Sequence, residues 1–176
     1  MATIRFEARL FRIHKSILLR VPKSQSARLP SRGMVMVAGT IDRFQFQAAL
    51  EPDGKGSHWL KVDNAVRDAI KVDVGDTVAL EIDPVKDWPE PDVPADLLKA
   101  LRSSPRIYAL WKDVTPMARW DWIRWIGSTK NPETLRKRIQ VALSKLEHGE
   151  RRPCCFNRSM CCDPAVSKNG VLLDPM

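Results

Sequence analysis

Four cysteines, Cys154, Cys155, Cys161 and Cys162, fall within nine residues near the end of the chain. Soft thiolates suit zinc or copper(I), and four of them can complete a tetrahedral site. The spacing is two adjacent pairs, not the two-residue gap of ordinary zinc hooks, and neighbours in extended chain point to opposite sides. One ion held by all four therefore needs an irregular backbone. Arg151, Arg152 and Arg158 beside them stabilise thiolates, which favours metal binding or oxidation. A zinc or copper(I) site, redox-active thiols and unpaired structural thiols stand as three readings of the cluster.

Acid–base and nucleophilic chemistry have less to work with. The three histidines, His14, His58 and His148, are far apart in sequence, and no triad-like motif accompanies any of them. Each reads as structural, with His148 at a helix end whose dipole favours the cation. Gly54 and Gly56 lack the spacing and the Lys-Ser/Thr ending of a phosphate loop. A second cluster mixes Trp111, Trp120, Trp122 and Trp125 with Arg119, Arg124 and Lys130. Such a mixture stacks bases or pins an anion, although tryptophans more often bury their area in a core. Ligand sites favour domain junctions, so Trp122, Lys130, Arg136 and Arg138 are the expected contacts for a small anionic ligand where the two halves of the chain meet.

The elements that must position these residues are legible from periodicity. Ile4, Phe6, Ala8 and Leu10 alternate with Arg5, Glu7 and Arg9, the period of a half-buried strand over residues 3–13. Further strands are expected over residues 17–21, 34–41, 44–50, 58–62 and 77–82, with Asp42-Arg43 as a hairpin turn and a short helix at Asn64–Ile70. Short strands with turn residues between them predict a small closed β-barrel. The acidic run from Pro84 to Pro94 carries four prolines and excludes helix or central strand. Beyond it, Pro94-Ala95, Ser104-Pro105, Thr115-Pro116 and Asn131-Pro132 each mark a helix start, predicting four helices. In the last, Leu135, Ile139, Ala142, Leu143 and Leu146 share a face, Arg136 and Arg138 flank it on opposite sides, and Gly149 stops it. The fold class is thus α+β: a barrel at residues 1–84, a connector at 85–94, a helical domain at 95–149 and an irregular Cys-rich tail at 150–176.

The formal charge is +8 over 176 residues. Residues 1–90 hold 14 Lys/Arg against 12 Asp/Glu, whereas residues 91–176 hold 15 against 9. The surplus lies mainly in the helical half and attracts phosphates, acidic proteins or anionic surfaces. No apolar run approaches the roughly 20 residues of a membrane span, and the alternating N-terminus is no signal peptide. A cytoplasmic protein with reduced thiols is expected.

Several segments in order carry a family resemblance. They are Gly39-Thr40-Ile41-Asp42 with Phe46 and Leu50, then Gly56-Ser57-His58-Trp59-Leu60-Lys61-Val62, Val66-Arg67-Asp68-Ala69 and Val74-Gly75-Asp76-Thr77-Val78. With them go Trp122-Ile123-Arg124-Trp125-Ile126 through Lys130, and Glu133-Thr134-Leu135-Arg136-Lys137-Arg138-Ile139. Together they resemble the bacterial domain of unknown function 1905 joined to a helical domain described as YdeI or OmpD-associated. The resemblance implies a small β-barrel followed by helices, and an association with resistance to antimicrobial peptides or bacteriocins. It implies no reaction. The expectation is a non-enzymatic binding or stress-protection protein. The alternatives are a nucleic-acid binder using the basic half and a thiol-dependent metal or redox protein using the tail.

Overall fold

In the computed structural model, which describes residues 2–127, 129, 131–153, 165–167 and 171–175, the chain divides into two compact units. One comprises Met1–Asp87 with Ala165–Met176, and the other Trp88–Pro164.

The first unit is an antiparallel sheet of seven strands: β1 (Ile4–Arg9), β2 (Phe11–Ile13), β3 (Ser16–Arg20), β4 (Val35–Ile41), β5 (Phe44–Pro52), β6 (His58–Lys61) and β7 (Thr77–Pro84). Their order is β1-β7-β4-β5-β6-β3-β2. Two short helices, α1 (Lys23–Ser26) and α2 (Asn64–Ile70), sit in its connections. The alternation read from the sequence sets the register: Ile4, Phe6 and Ala8 of β1 lie opposite Ile82, Leu80 and Val78 of β7, and all six belong to one buried apolar cluster. Each large side chain so buried is worth roughly 1.5–3 kcal/mol. Asp42 and Arg43 both adopt positive φ, 45° and 69°, the twist that a tight two-residue hairpin requires. Gly39 is fixed by sterics, since a Cβ there would lie 1.8 Å from the backbone oxygen of Glu81 on β7.

The expected closed barrel is corrected to a curled half-barrel. β5 pairs with β4 from Phe44 to Leu50, but with β6 only through Glu51–Trp59 and Pro52–His58. After Lys61 the chain turns into α2, which packs on β5 where a longer β6 would have continued the ladder. The strand expected over residues 3–13 is broken at Leu10, whose N–H donates to Asp76 O at 2.9 Å and whose carbonyl accepts from Gly75 N at 2.9 Å.

The second unit contains α3 (Ala95–Arg102), α4 (Pro105–Asp113), α5 (Pro116–Gly127) and α6 (Pro132–Glu147). Each start has a local cause. Ser104 Oγ accepts from Ile107 N at 3.4 Å, Thr115 Oγ1 from Ala118 N at 3.2 Å, and Asn131 Oδ1 from Glu133 N at 2.9 Å and Thr134 N at 3.3 Å. These caps satisfy N–H groups that a helix leaves open. Leu97, Leu101, Trp111, Trp122, Ile139 and Leu146 lie at the centre of a second apolar core. The helices among the described residues number six: α2 at the short helix expected over Asn64–Ile70, α3 to α6 at the four expected starts, and α1, which was not expected. The four-residue α1 is too short to show a period in sequence.

The tail expected to be irregular contributes ordered pieces to the first unit. Val166 and Leu172 form an antiparallel bridge, Leu172 N donates to Asp53 O at 2.9 Å, and Arg20 donates to Leu173 O at 3.2 Å. No helix among the described residues is long and apolar enough to cross a membrane.

Candidate functional site

Trp122 faces inward from α5 and is fully buried. Its indole Nε1 donates to Arg151 O at 3.1 Å, and its ring meets Trp125 edge-on, 6.3 Å between centroids. Arg138 of α6 lies over the Trp125 ring at 5.6 Å and donates to Trp125 O at 2.8 Å, so it serves the C-terminal turn of α5. Arg136 sits two positions earlier, about 200° around the helix, and is exposed. Trp122 and Arg138 thus meet through Trp125, Arg136 points elsewhere, and Lys130 lies outside the described residues. Cys154, Cys155, Cys161 and Cys162, with the zinc or copper(I) reading they carry, also lie outside the described residues. Among the described residues no group of three or more His, Cys, Asp or Glu is placed to hold a metal.

Sequence reading missed a set of internal ion pairs that decides which cations remain for a ligand. Asp121, whose side chain is 3% exposed, accepts at one oxygen from Arg124 at 2.7 Å and at the other from Arg152 at 2.9 Å. Arg119 is buried, pairs with Glu90 and donates to the carbonyls of Trp111, Lys112 and Val114 at the end of α4. Arg151 reaches Asp113 at 3.0 Å and Lys145 reaches Glu150 at 3.5 Å. By contrast Lys99, Arg102, Arg106, Arg136 and Lys137 are exposed and enter none of the ion pairs found among the described residues. Lys99 and Arg102 border an open concavity of roughly 500 Å³ on α3, with Ala95, Leu98 and Ser103. Arg119 and Asp121 gave no signal of their role in sequence, since charged residues are seldom buried.

The first unit buries a serine–histidine pair. Ser26 Oγ and His58 Nδ1 are 2.6 Å apart, and His58 Nε2 is 2.8 Å from Gly33 O. A carbonyl only accepts, so Nε2 carries the proton and Nδ1 accepts from the serine hydroxyl. Burial pulls the His58 pKa below 6.5, and the nearby Arg32 guanidinium adds to the effect, against the Gly33 carbonyl and Asp53, which raise it. Arg32 also donates to the carbonyls of Ser26, Leu29 and Gly56, while Ser57 Oγ donates to Val21 O at 2.6 Å. Both Ser26 and His58 are fully buried, so the pair has no face toward a substrate. It ties the segment joining β3 to β4 onto β6.

Residues 6–82 match the family described as Domain of unknown function (DUF1905), and residues 90–149 match Bacteriocin-protection, YdeI or OmpD-Associated. The chain joins a DUF1905 domain to a YdeI/OmpD-associated domain. No curated protein matches it. The serine–histidine pair and the half-barrel belong to the DUF1905 domain. The five exposed cations, the α3 concavity, Trp122, Arg136 and Arg138 all fall within the YdeI/OmpD-associated domain. Residues 150–176, with the four cysteines, lie beyond both matches.

Proposed function

We propose that this protein is a non-enzymatic binding protein whose YdeI/OmpD-associated domain takes up a small anionic ligand. The bacteriocin-protection wording of that family suggests a protective role inside the cell. The observation that carries the reading is the sorting of charge in the helical domain. Carboxylates of Glu90, Asp113, Asp121 and Glu150 are engaged by arginine or lysine of the same compact unit. Lys99, Arg102, Arg106, Arg136 and Lys137 are left exposed. The exposed carboxylates of Asp92, Asp96, Glu133 and Glu147 offset part of this set, and with Lys112 also exposed the remaining cationic surplus raises the local concentration of anions. The buried serine–histidine pair of the DUF1905 domain supports binding over hydrolysis, because both of its groups are occupied and enclosed.

The test is calorimetric titration of the full chain with sodium tripolyphosphate and, separately, with a 20-nucleotide single strand, from about 50 to 200 mM salt. Saturable tripolyphosphate binding, weakened by salt and several-fold further when Arg102 and Arg136 are both changed to glutamate, is expected. Binding of the oligonucleotide alone, falling steeply with salt as phosphate contacts release counterions, would favour the nucleic-acid reading. Absence of binding to either anion removes the proposal.

A further inference from the structure

We infer that the concavity on α3 is the ligand site of the helical domain and that it takes an amphipathic anion, a carboxylate or similar head group on a short apolar body. The inference rests on the proposed function above and adds the site and the chemical class.

Ala95, Leu98, Lys99 and Arg102 fall at intervals of three and four on α3, so they share one face of the helix. The face divides along the axis: Ala95 and half-buried Leu98 make an apolar shelf at the N-terminal end, and Lys99 and Arg102 follow at the C-terminal end. Ser103 closes that end. Its hydroxyl donates to Ala100 O at 2.6 Å, so toward a ligand it offers lone pairs, and the positive groups left to meet an anion are Lys99 and Arg102. No carboxylate lines the concavity. Asp96, the nearest acidic residue on the helix, lies three positions before Lys99, about 60° around the axis, and forms no ion pair with it among the described residues, so it lowers the positive field there without occupying the cation. Arg106, exposed at the start of α4, adds positive field from beyond Ser103.

The lining selects among anions. An inorganic anion would use Lys99 and Arg102 and leave Leu98 wet. A nucleic acid would find no aromatic side chain in the lining on which to stack a base. An anion carrying an apolar body of several carbons covers Ala95 and Leu98 while its head meets both cations. The hollow, roughly 500 Å³, is open to solvent and lined by α3 and Ser103 alone, so an anion held there is covered on one side only and binds weakly. The hydrophobic term grows by about 0.8 kcal/mol for each methylene buried, so chain length gives a graded readout that charge alone cannot produce.

The experiment is an amide-resolved NMR titration of the full chain with sodium octanoate, kept below micelle formation, with butyrate, octylammonium chloride and sodium tripolyphosphate in parallel. Expected are saturable shifts confined to the amides of residues 95–106 with octanoate, weaker binding of butyrate and none of octylammonium. Lys99→Glu with Arg102→Glu should reduce octanoate affinity at least about tenfold, a loss of about 1.4 kcal/mol. Leu98→Ser should weaken octanoate while leaving tripolyphosphate within about twofold, the change that separates a shelf from a charge. Octanoate shifts spread evenly over Arg136, Lys137 and the rest of the basic surface overturn the inference and leave the proposed function standing. Binding only to phosphatidylglycerol vesicles, with no response to free octanoate, overturns the small-ligand site in favour of a lipid surface. Silence toward every anion removes both readings.

Discussion

His58 is the residue whose protonation state the fold depends on most directly. Its Nδ1 accepts from Ser26 and its Nε2 donates to Gly33 O, an arrangement available only to the neutral ring. Burial, with Arg32 in the same direction, lowers its pKa from 6.5. The unfolded chain therefore binds the proton first as pH falls. Stability from this group is complete above about pH 6.5 and declines below it until the folded imidazole itself titrates. Urea midpoints at intervals from pH 8 to pH 5 should fall in the acid part of that range. The same series in His58→Phe should be flatter, and equal slopes would refute the linkage. At neutral pH His58→Phe should cost about 2–5 kcal/mol, since it strands both the Ser26 hydroxyl and the Gly33 carbonyl. Gly39 makes a second prediction at this scale. With a Cβ 1.8 Å from Glu81 O, Gly39→Ala has to push β4 from β7, and a loss of about 3 kcal/mol or more is expected in denaturant unfolding. Sequence marked Gly39 only as a member of a family motif, and His58 as that and as a structural histidine without its partners. The partners of His58 lie 25 and 32 positions away, and the close approach of β7 to Gly39 is a property of pairing that no local window contains.

Elements were legible where their causes are local. The helix starts at Ala95, Pro105, Pro116 and Pro132 were readable because a proline lies next to the turn each begins, with a side-chain cap at the last three. The strands were readable because alternation survives burial on one face. Closure of the barrel was not readable, since the length of the β5–β6 ladder depends on where the chain leaves β6 for α2. The candidate site was legible in part: the basic bias of the helical half was visible in composition, but which cations remain exposed was not. Asp121 illustrates the difficulty. In sequence it is one acid among arginines, and in the fold it pairs with Arg124 within α5 and holds α5 to the segment after α6 through Arg152. Asp121→Ala leaves two arginines without their buried partner and should cost about 3–5 kcal/mol, read as a lowered urea midpoint. Asn131→Ala removes only a cap and should cost about 1 kcal/mol. A difference of less than about twofold between the two losses would mean that Asp121 is not holding that segment in place.

At the scale of the whole molecule, the DUF1905 match ends at residue 82, yet the unit that contains it is completed by the last residues of the chain. Arg20 is the hinge of that completion. It lies over Phe11 at 5.4 Å, faces Asp53 at 3.8 Å and Asp174 at 3.8 Å, and holds Leu173 O. Buried Val166 and Leu172 each offer about 1.5–3 kcal/mol, offset in part by the entropy of ordering the tail, so the net loss on deletion is expected to be about 1–3 kcal/mol. A chain ending at Pro164 tests this. Hydrogen exchange should quicken in β3, β5 and β6, where Arg20 and Asp53 sit, and stay unchanged in α3, α4 and α6, whose core contains none of the deleted residues. Uniform quickening across both units would mean that the tail stabilises the chain as one cooperative body. Unchanged exchange in the three strands would mean that the sheet unit is complete without it. Quickening confined to the three strands makes the YdeI/OmpD-associated domain an insertion between two parts of a single sheet unit.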